Sequence, residues 1–433
     1  MTLKKMLTLT SSFPRYNGDF AGSFVFELAK NLQDYGFSVT VLAAHHPGAR
    51  SKEEFEGINI YRYQYFFPAK FQKLYRDGGW VYNFRKSTLA KFQVPLFFIS
   101  ELYFATKIIK QEQIEILHSH WLMPQGFIGT ICKKIFNIPH VITIHAADIF
   151  LLENLPFKNV IADFIAKDCD EIIIVSSYVS ERFLTMISSN LKEYVENKIT
   201  VLPMGIDVLS FQEHKDIKHL KHRYTISSKF TLLYIGRLAD KKGISYLIEA
   251  MPTIIKHIND VCLIICGDGH LLGELIQIVK KLNLERYVTF TGFVSNDIKL
   301  DYISIADIVI VPSLVLDTGE TEGLPVVILE YLAAGKPIIA TNVSGIKDVI
   351  ESGWNGILIE QRSSEQISNQ VLRLLSDEEL RISLGENARI SGSKFDWSLI
   401  SYKYADLFKR LLFQITSGIR SDDASSVGSQ ESG

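Results

Sequence analysis

The stretch that decides how this chain is read is PSLVLDTGETEGLPVVILEYLAAGKPIIATNVSG, residues 312–345. An apolar run, DIVIVPS, leads into it as a strand. A polar loop follows, carrying Asp317, Gly319, Glu320, Thr321 and Glu322. Pro325 suits a first helical turn, and AAG followed by KP closes that helix before a second β-branched run, PIIAT. Strand, helix and strand in this order predict a βαβ unit with a parallel sheet buried on both faces. Glu322 and Glu330 have seven residues between them. On a helix that spacing sets them about 12 Å apart along the axis. A carboxylate pair that acts on one glycosidic bond stands about 5–9.5 Å apart, so these two suit opposite ends of one extended ligand. The amides of Val326 and Val327 open the helix, where a phosphate is favoured.

The same alternation extends in both directions. KMLTLT, SVTVLAA, EILHSH, HVITIHA and EIIIVSS read as strands of a first half. FTLLYIG, VCLIICGDG, YVTFTGF, DIVIVPS, KPIIATN and GILIE read as strands of a second. Helical stretches such as GSFVFELAKNLQDYG separate them. The pattern runs twice, with a polar, His- and Lys-rich stretch after VLPMGID (201–207). The expected domains are 1–207 and 208–395. An amphipathic helix over 396–415 follows, expected to return to the first domain. A Ser- and Gly-rich tail, 416–433, is expected to be disordered.

Composition narrows the classes. The 433 residues hold 47% apolar and 22% charged side chains, an ordinary globular balance. Lys and Arg (46) nearly match Asp and Glu (48), which argues against general nucleic-acid binding. The four cysteines, Cys132, Cys169, Cys262 and Cys266, include no C-x-x-C pair and read as small core residues in a reducing compartment. The N-terminal MTLKKMLTLTSSFPR reads as a first strand rather than a signal peptide. No uninterrupted apolar stretch reaches about 18 residues, the span of a membrane helix. The nearest, 92–109, contains Pro95, Glu101 and Lys107.

Residues 61–110 stand apart. They hold nine Lys and Arg against Asp77 and Glu101, and 15 of the 49 aromatic residues. A cationic, aromatic surface suits an anionic membrane interface. A helical insertion with aromatics in its core and bases outside accounts for the composition equally well.

Other motifs sit at strand ends. IGRLADKKGISYLIEAM (235–251) sets Arg237 and Lys242 on a Gly-flanked loop, where cations neutralise a diphosphate. CGDGHL (266–271) turns at Gly267 and is not the dinucleotide fingerprint. FTGFVSND (290–297) presents Phe293 and Val294. In the first half, SSFPRYNGDFAGSFVFELA (11–29) sets Gly18 and Gly22 before a helix, where backbone can approach a ligand closely. HVITIHAADIF (140–150) ends a strand at His145, with Asp148 three residues on. IEILHSHW (114–121) adds His118 and His120.

EGLPVVILEYLAAGKPIIAT (322–341) resembles the E-x7-E signature of retaining GT-B glycosyltransferases of family 4, the "glycosyl transferases group 1" domain. The wording is most similar to exopolysaccharide and lipopolysaccharide members of the colanic-acid and amylovoran type, and the likeness covers about residues 5–412. It implies an α/β GT-B fold, two Rossmann-like doubly wound domains facing across a cleft. It implies transfer of a hexose, with retention, from a nucleotide-diphosphate sugar to a saccharide acceptor, expected to be polyprenyl-linked. It also implies residue roles. Arg237 and Lys242, with the helix N-terminus at Val326 and Val327, stabilise the leaving diphosphate. Glu322 holds the donor sugar and Glu330 the ribose. Gly267 lies along the nucleotide, and the backbone at Phe293 and Val294 reads the base. His145 orients the sugar at the reacting centre, with Ala146 where the family has Gly. Gly22, His120 and Asp148 face the acceptor. Neither a cofactor nor a metal is expected. The resemblance places the protein in the cytoplasm, peripheral on the inner membrane face. Two alternatives stay open, a sugar-nucleotide 2-epimerase of the same fold and a non-catalytic scaffold for a partner glycosyltransferase.

Overall fold

The computed structural model describes residues 3–16, 19, 21–74, 83, 87–213 and 215–417. The chain divides into two compact units, each built on a parallel sheet.

The first unit comprises residues up to Val175, Val179–Leu202 and the chain from Ser398 onward. Its strands are β1 (Lys4–Thr10), β2 (Phe37–Ala44), β3 (Lys52–Phe55), β4 (Ile58–Tyr63), β5 (Ile116–His120), β6 (His140–Ile144), β7 (Glu171–Ile174) and β8 (Ile199–Val201). They lie in the order β3-β4-β2-β1-β5-β6-β7-β8. All neighbours are parallel except the β3–β4 hairpin at one edge. β5 and β6 are buried at every position, and β1 from Met6 onward, because both faces of the sheet are covered. One face packs against helix Thr88–Glu112 through Ala90, Phe97, Ala105 and Ile108. On the same unit the final helix, Trp397–Thr416, sets Phe408 against Phe37 and His118.

The second unit comprises Ser176–Tyr178 and Pro203–Trp397. Its strands are β9 (Phe230–Ile235), β10 (Val261–Cys266), β11 (Val288–Gly292), β12 (Ile308–Val311), β13 (Ile338–Thr341) and β14 (Ile357–Ile359). The order β11-β10-β9-β12-β13-β14 reverses direction at β9, as in doubly wound sheets. One apolar cluster covers each face. Leu247, Met251 and Leu374 mark one, and Ile328, Leu332 and Ile346 the other.

Sequence alone sets the domain boundary after residue 207, whereas the units divide at Leu202 and Pro203. Ile206 explains the shift: it pairs with Asp396 and, with Val208, lies in the second core. Asp207 caps helix Val208–Gln212 by accepting from the Ser210 amide, so its role there is structural. Of the tail expected to be disordered, 418–433 lies outside the described residues.

Candidate active site

A parallel sheet delivers the loops after its strands to one edge. In the second unit those loops carry the residues singled out in the sequence. β9 runs into Gly236 and Arg237, β10 into Gly267, β11 into Phe293 and Val294, and β12 into the loop that ends at Pro325. The Gly236 amide donates to Cys266 O and the Gly267 amide to Gly292 O, which ties the three strand ends together. At Gly267 φ is +142°, and a Cβ there would lie 1.9 Å from Gly236 O. Only glycine fits where two backbones pass this closely.

The acidic loop is stapled in place. The Leu314 amide donates to Lys241 O at 2.8 Å, and Thr321 Oγ1 donates to Leu314 O at 2.7 Å. Glu322 is thereby held, largely buried, against the lysine loop. Its Oε2 lies 3.1 Å from Lys242 Nζ, and its Oε1 3.5 Å from Lys241 Nζ. Burial pushes this carboxyl up, but the two ammonium groups pull harder and hold it below its ordinary value. Oε1 is buried and receives no hydrogen bond, so it is an acceptor in want of a donor. Lys242 was the cation singled out in the sequence; Lys241 joins it because Glu322 sits between them.

Helix Val326–Ala333 begins directly after Pro325, and its first amides, at Val326 and Val327, precede any intrahelical acceptor. Glu330 stands on this helix, its Oε1 bonded by Lys299 Nζ at 2.6 Å. Arg237 is exposed, and among the described residues its side chain makes no ion pair. Phe293 is also exposed, and Val294 half-buried.

The first unit gathers its own set where β1, β5 and β6 end. His120 Nδ1 and His145 Nε2 are 3.2 Å apart, with the rings stacked. Phe24 and Trp121 pack on His145 at 5.0 and 5.2 Å between ring centroids. Gly22 caps the helix that carries Phe24; at its φ of +68° a Cβ would lie 2.1 Å from Ser12 O. Asp148 is buried, and its Oδ2 accepts from the amides of Leu122 (2.7 Å) and His145 (3.3 Å). It therefore shapes the turn at His145. Burial pushes its carboxyl up to about 7 against the pull of these amides, and Oδ1 has no partner. Burial drives His118 and His145 down to about 3, and His120 and His140 well below the ordinary imidazole value.

Two groups carry site geometry that the sequence did not assign. Asp19 bonds the Arg15 side chain and amide, which holds its carboxyl down at about 2 and ties the loop after β1. Both lie inside the FPR…GDF wording, where only the glycines were weighed; Gly18 lies outside the described residues. Lys299 had no signal, since its partner is 31 residues away in sequence. Among the described residues no three His, Cys, Asp or Glu side chains gather as a metal site.

Comparison with known proteins covers nearly the whole chain. Residues 206–391 match the family described as "Glycosyl transferases group 1", and residues 21–208 match "Glycosyltransferase Family 4". An uncharacterized glycosyltransferase of Methanocaldococcus jannaschii is 30% identical over 71% of this chain and 79% of its own length. An Escherichia coli UDP-Gal:alpha-D-GlcNAc-diphosphoundecaprenol alpha-1,3-galactosyltransferase is 28% identical over 65% and 72%. Among solved structures, the Anabaena protein Alr3699/HepE in complex with UDP aligns with a TM-score of 0.73 at 20% identity. That alignment covers 94% of this chain and 100% of the other, and it concerns the fold.

Proposed function

The chain belongs to the glycosyltransferases that join a family 4 domain to a group 1 domain, and on that premise we propose that it moves a hexose, with retention, from a nucleotide-diphosphate sugar to a polyprenyl-linked saccharide. The observation that carries this reading is Glu322, a largely buried carboxylate between Lys242 and Lys241, whose Oε1 meets the Lys241 ammonium only at 3.5 Å and receives no hydrogen bond. A sugar hydroxyl supplies the missing donor, and the lysines lie close enough to serve the phosphates. Support for the acceptor class is the E. coli relative, whose acceptor is a diphosphoundecaprenol-linked sugar.

In this reading the second unit binds the donor. Glu322 holds the sugar, Glu330 the ribose, and the turns at Gly267, Phe293 and Val294 the remainder of the nucleotide. The acceptor hydroxyl attacks the anomeric carbon on the face from which the diphosphate departs, and its proton passes to a phosphate oxygen. Arg237, Lys242 and the amides of Val326 and Val327 take up the charge that grows as the sugar–phosphate bond breaks. From the first unit, His145 orients the sugar, and Gly22, His120 and Asp148 serve the acceptor side. The residues in these roles call for no metal or other cofactor.

We place the enzyme on the cytoplasmic face of an anionic membrane. Helix Thr88–Glu112 supports this. It is long and apolar enough to cross a membrane by composition, yet Ala90, Gln93, Phe97, Glu101 and Ala105 are buried in the first unit. Its outer side exposes Phe92 (74%), Leu96, Ile99 (64%) and Tyr103 in one line, followed by Lys107 and Lys110. Among the described residues from 64 to 111 the only acid is Glu101, which is buried. An apolar stripe bounded by bases matches an anionic bilayer surface.

A thermal-shift screen with nucleoside diphosphates and their sugars tests the donor reading. A ligand at 100 times its Kd should stabilise the protein by about 2.7 kcal/mol. Arg237→Ala and Glu322→Gln should lower transfer activity about a hundredfold or more. A folded protein that shifts with no nucleotide contradicts the proposal. Conversion of the donor alone to an epimer selects the epimerase instead.

A further inference from the structure

Glu330, the carboxylate assigned to the ribose, is already engaged. Lys299 Nζ donates to its Oε1 at 2.6 Å, and both side chains are mostly buried. Among the described residues no side chain donates to Oε2. Lys299 stands in the first turn of helix Asn296–Ile305, its amide bonded to Ser295 O at 2.8 Å. That turn directly follows Phe293 and Val294. The Lys299 ammonium also lies over the Phe211 ring, 5.8 Å from its centroid. Lys299 is thus fixed from two sides.

We infer that Lys299 is a positioning residue for ribose recognition. It holds Glu330 by Oε1 and leaves Oε2 to accept from the vicinal hydroxyls of a ribonucleotide. The inference rests on the reading of Glu330 as the ribose-binding residue. A glutamate has three rotatable side-chain bonds, and a freely turning one must be ordered each time a ligand binds. Lys299 meets that cost in the free protein. The same contact ties the carboxylate to the turn that reads the base, so base and sugar are presented to one preset arrangement. The pair links this glutamate to the helix after β11, and nothing in the 322–341 motif demands a lysine at position 299.

Titration calorimetry on the full chain tests this, with UDP, GDP and ADP each set against its 2′-deoxy analogue. The wild type should prefer the ribose form by about ten- to a hundredfold for whichever base binds, the worth of one charge-assisted hydrogen bond. Glu330→Gln should shrink that preference. Lys299→Met should shrink it to about threefold or less, while Lys299→Arg restores most of it. Lys299→Gln serves as the second uncharged variant, and melting curves establish that each protein is folded. A folded Lys299→Met or Lys299→Gln protein that keeps the wild-type preference overturns the inference. So does one that weakens ribose and deoxyribose forms equally. A wild type that binds nucleotide but ignores the 2′-hydroxyl removes the ribose role of Glu330, and Lys299 with it. A wild type that binds no nucleoside diphosphate fails at the donor reading itself.

Discussion

Four histidines in the first unit set a pH optimum for its stability. His118, His120, His140 and His145 are held neutral by burial, with His118 and His145 down at about 3. Unfolded, they titrate near 6.5. Below that pH the unfolded chain takes up protons that the folded chain refuses, so stability falls on acidification, by about 1.4 kcal/mol per pH unit for each proton. Two carboxyls oppose this. Burial raises Asp148 to about 7 and Glu101 to about 8, so folding keeps protons that the unfolded chain releases. Their contribution is full at low pH and is lost as pH rises toward 7 and 8. His45 joins the histidines and Glu171 the carboxyls, each shifted by burial, so the histidines still outnumber the carboxyls and stability falls toward acid near pH 5. Above 6.5 the last of the histidine gain, complete at about pH 7.5, is outweighed by the loss from Asp148 and Glu101, so stability declines slightly. Urea midpoints of the first unit at pH 5, 6.5 and 8 should therefore peak at the middle value, and His140→Gln should flatten the acid side. A midpoint level across that range contradicts the neutral histidines. At this scale the sequence is legible where a polar residue ends a strand, as His120 and His145 do after apolar runs, or where a motif frames one, as the 322–341 stretch frames Glu322. Lys241, Lys299 and Asp19 do not, because each draws its meaning from a partner that only the fold supplies.

Among the elements, helix Thr88–Glu112 shows how far composition can go. The aromatic, basic segment 61–110 fitted either a membrane surface or a packed insertion. The structure divides it. Tyr63, Tyr65 and Phe97 pack together in the core, while Phe92, Ile99 and Tyr103 face outward. Period and burial decide this jointly: both sides of the helix are apolar, so no polar stripe in the sequence marks the outer one. The loop at Phe71 and Lys73 is pinned to the same helix by Gln93, which sets the exposed Phe71 beside its first turns. In vesicle flotation the protein should rise with phosphatidylglycerol vesicles and not with phosphatidylcholine alone. Phe92→Ser with Ile99→Ser should abolish this without lowering the melting temperature. Equal binding to both vesicle types, or retention by the double variant, would count against the membrane placement. The β3–β4 hairpin was absent from the sequence reading because KEEF is a polar edge strand. Its signals were the alternating INIYRY and the Glu56–Gly57 turn, both at positive φ.

For the molecule as a whole, the doubled βαβ pattern was legible in the strand runs, and so was the length of the last helix. The return of the last helix is an expectation of the sequence that the chain from Ser398 meets by joining the first unit; what the runs do not carry is the exchange of Ser176–Tyr178 into the second. Short polar stretches have no periodicity by which to choose a side. Tyr404 and Phe408 are fully buried in the first unit, where Phe408 meets Phe37 and His118. Phe408→Ala should therefore cost about 3–5 kcal/mol in the unfolding of the first unit and leave the second unit's own transition in place. Calorimetry that resolves two transitions would read this directly; an unchanged first transition would mean that the last helix adds little there. The same helix orders events at the ribosome. Nearly all of the chain must be synthesised before residues 398–417 emerge. At about 5–20 residues per second, the face of the first sheet around Phe37 and His118 waits roughly 15 to 60 seconds for its cover. Through that interval a nascent chain carries an unsealed apolar face, and a holding chaperone would find its client there rather than in the second unit, whose segments leave the tunnel in one nearly continuous run.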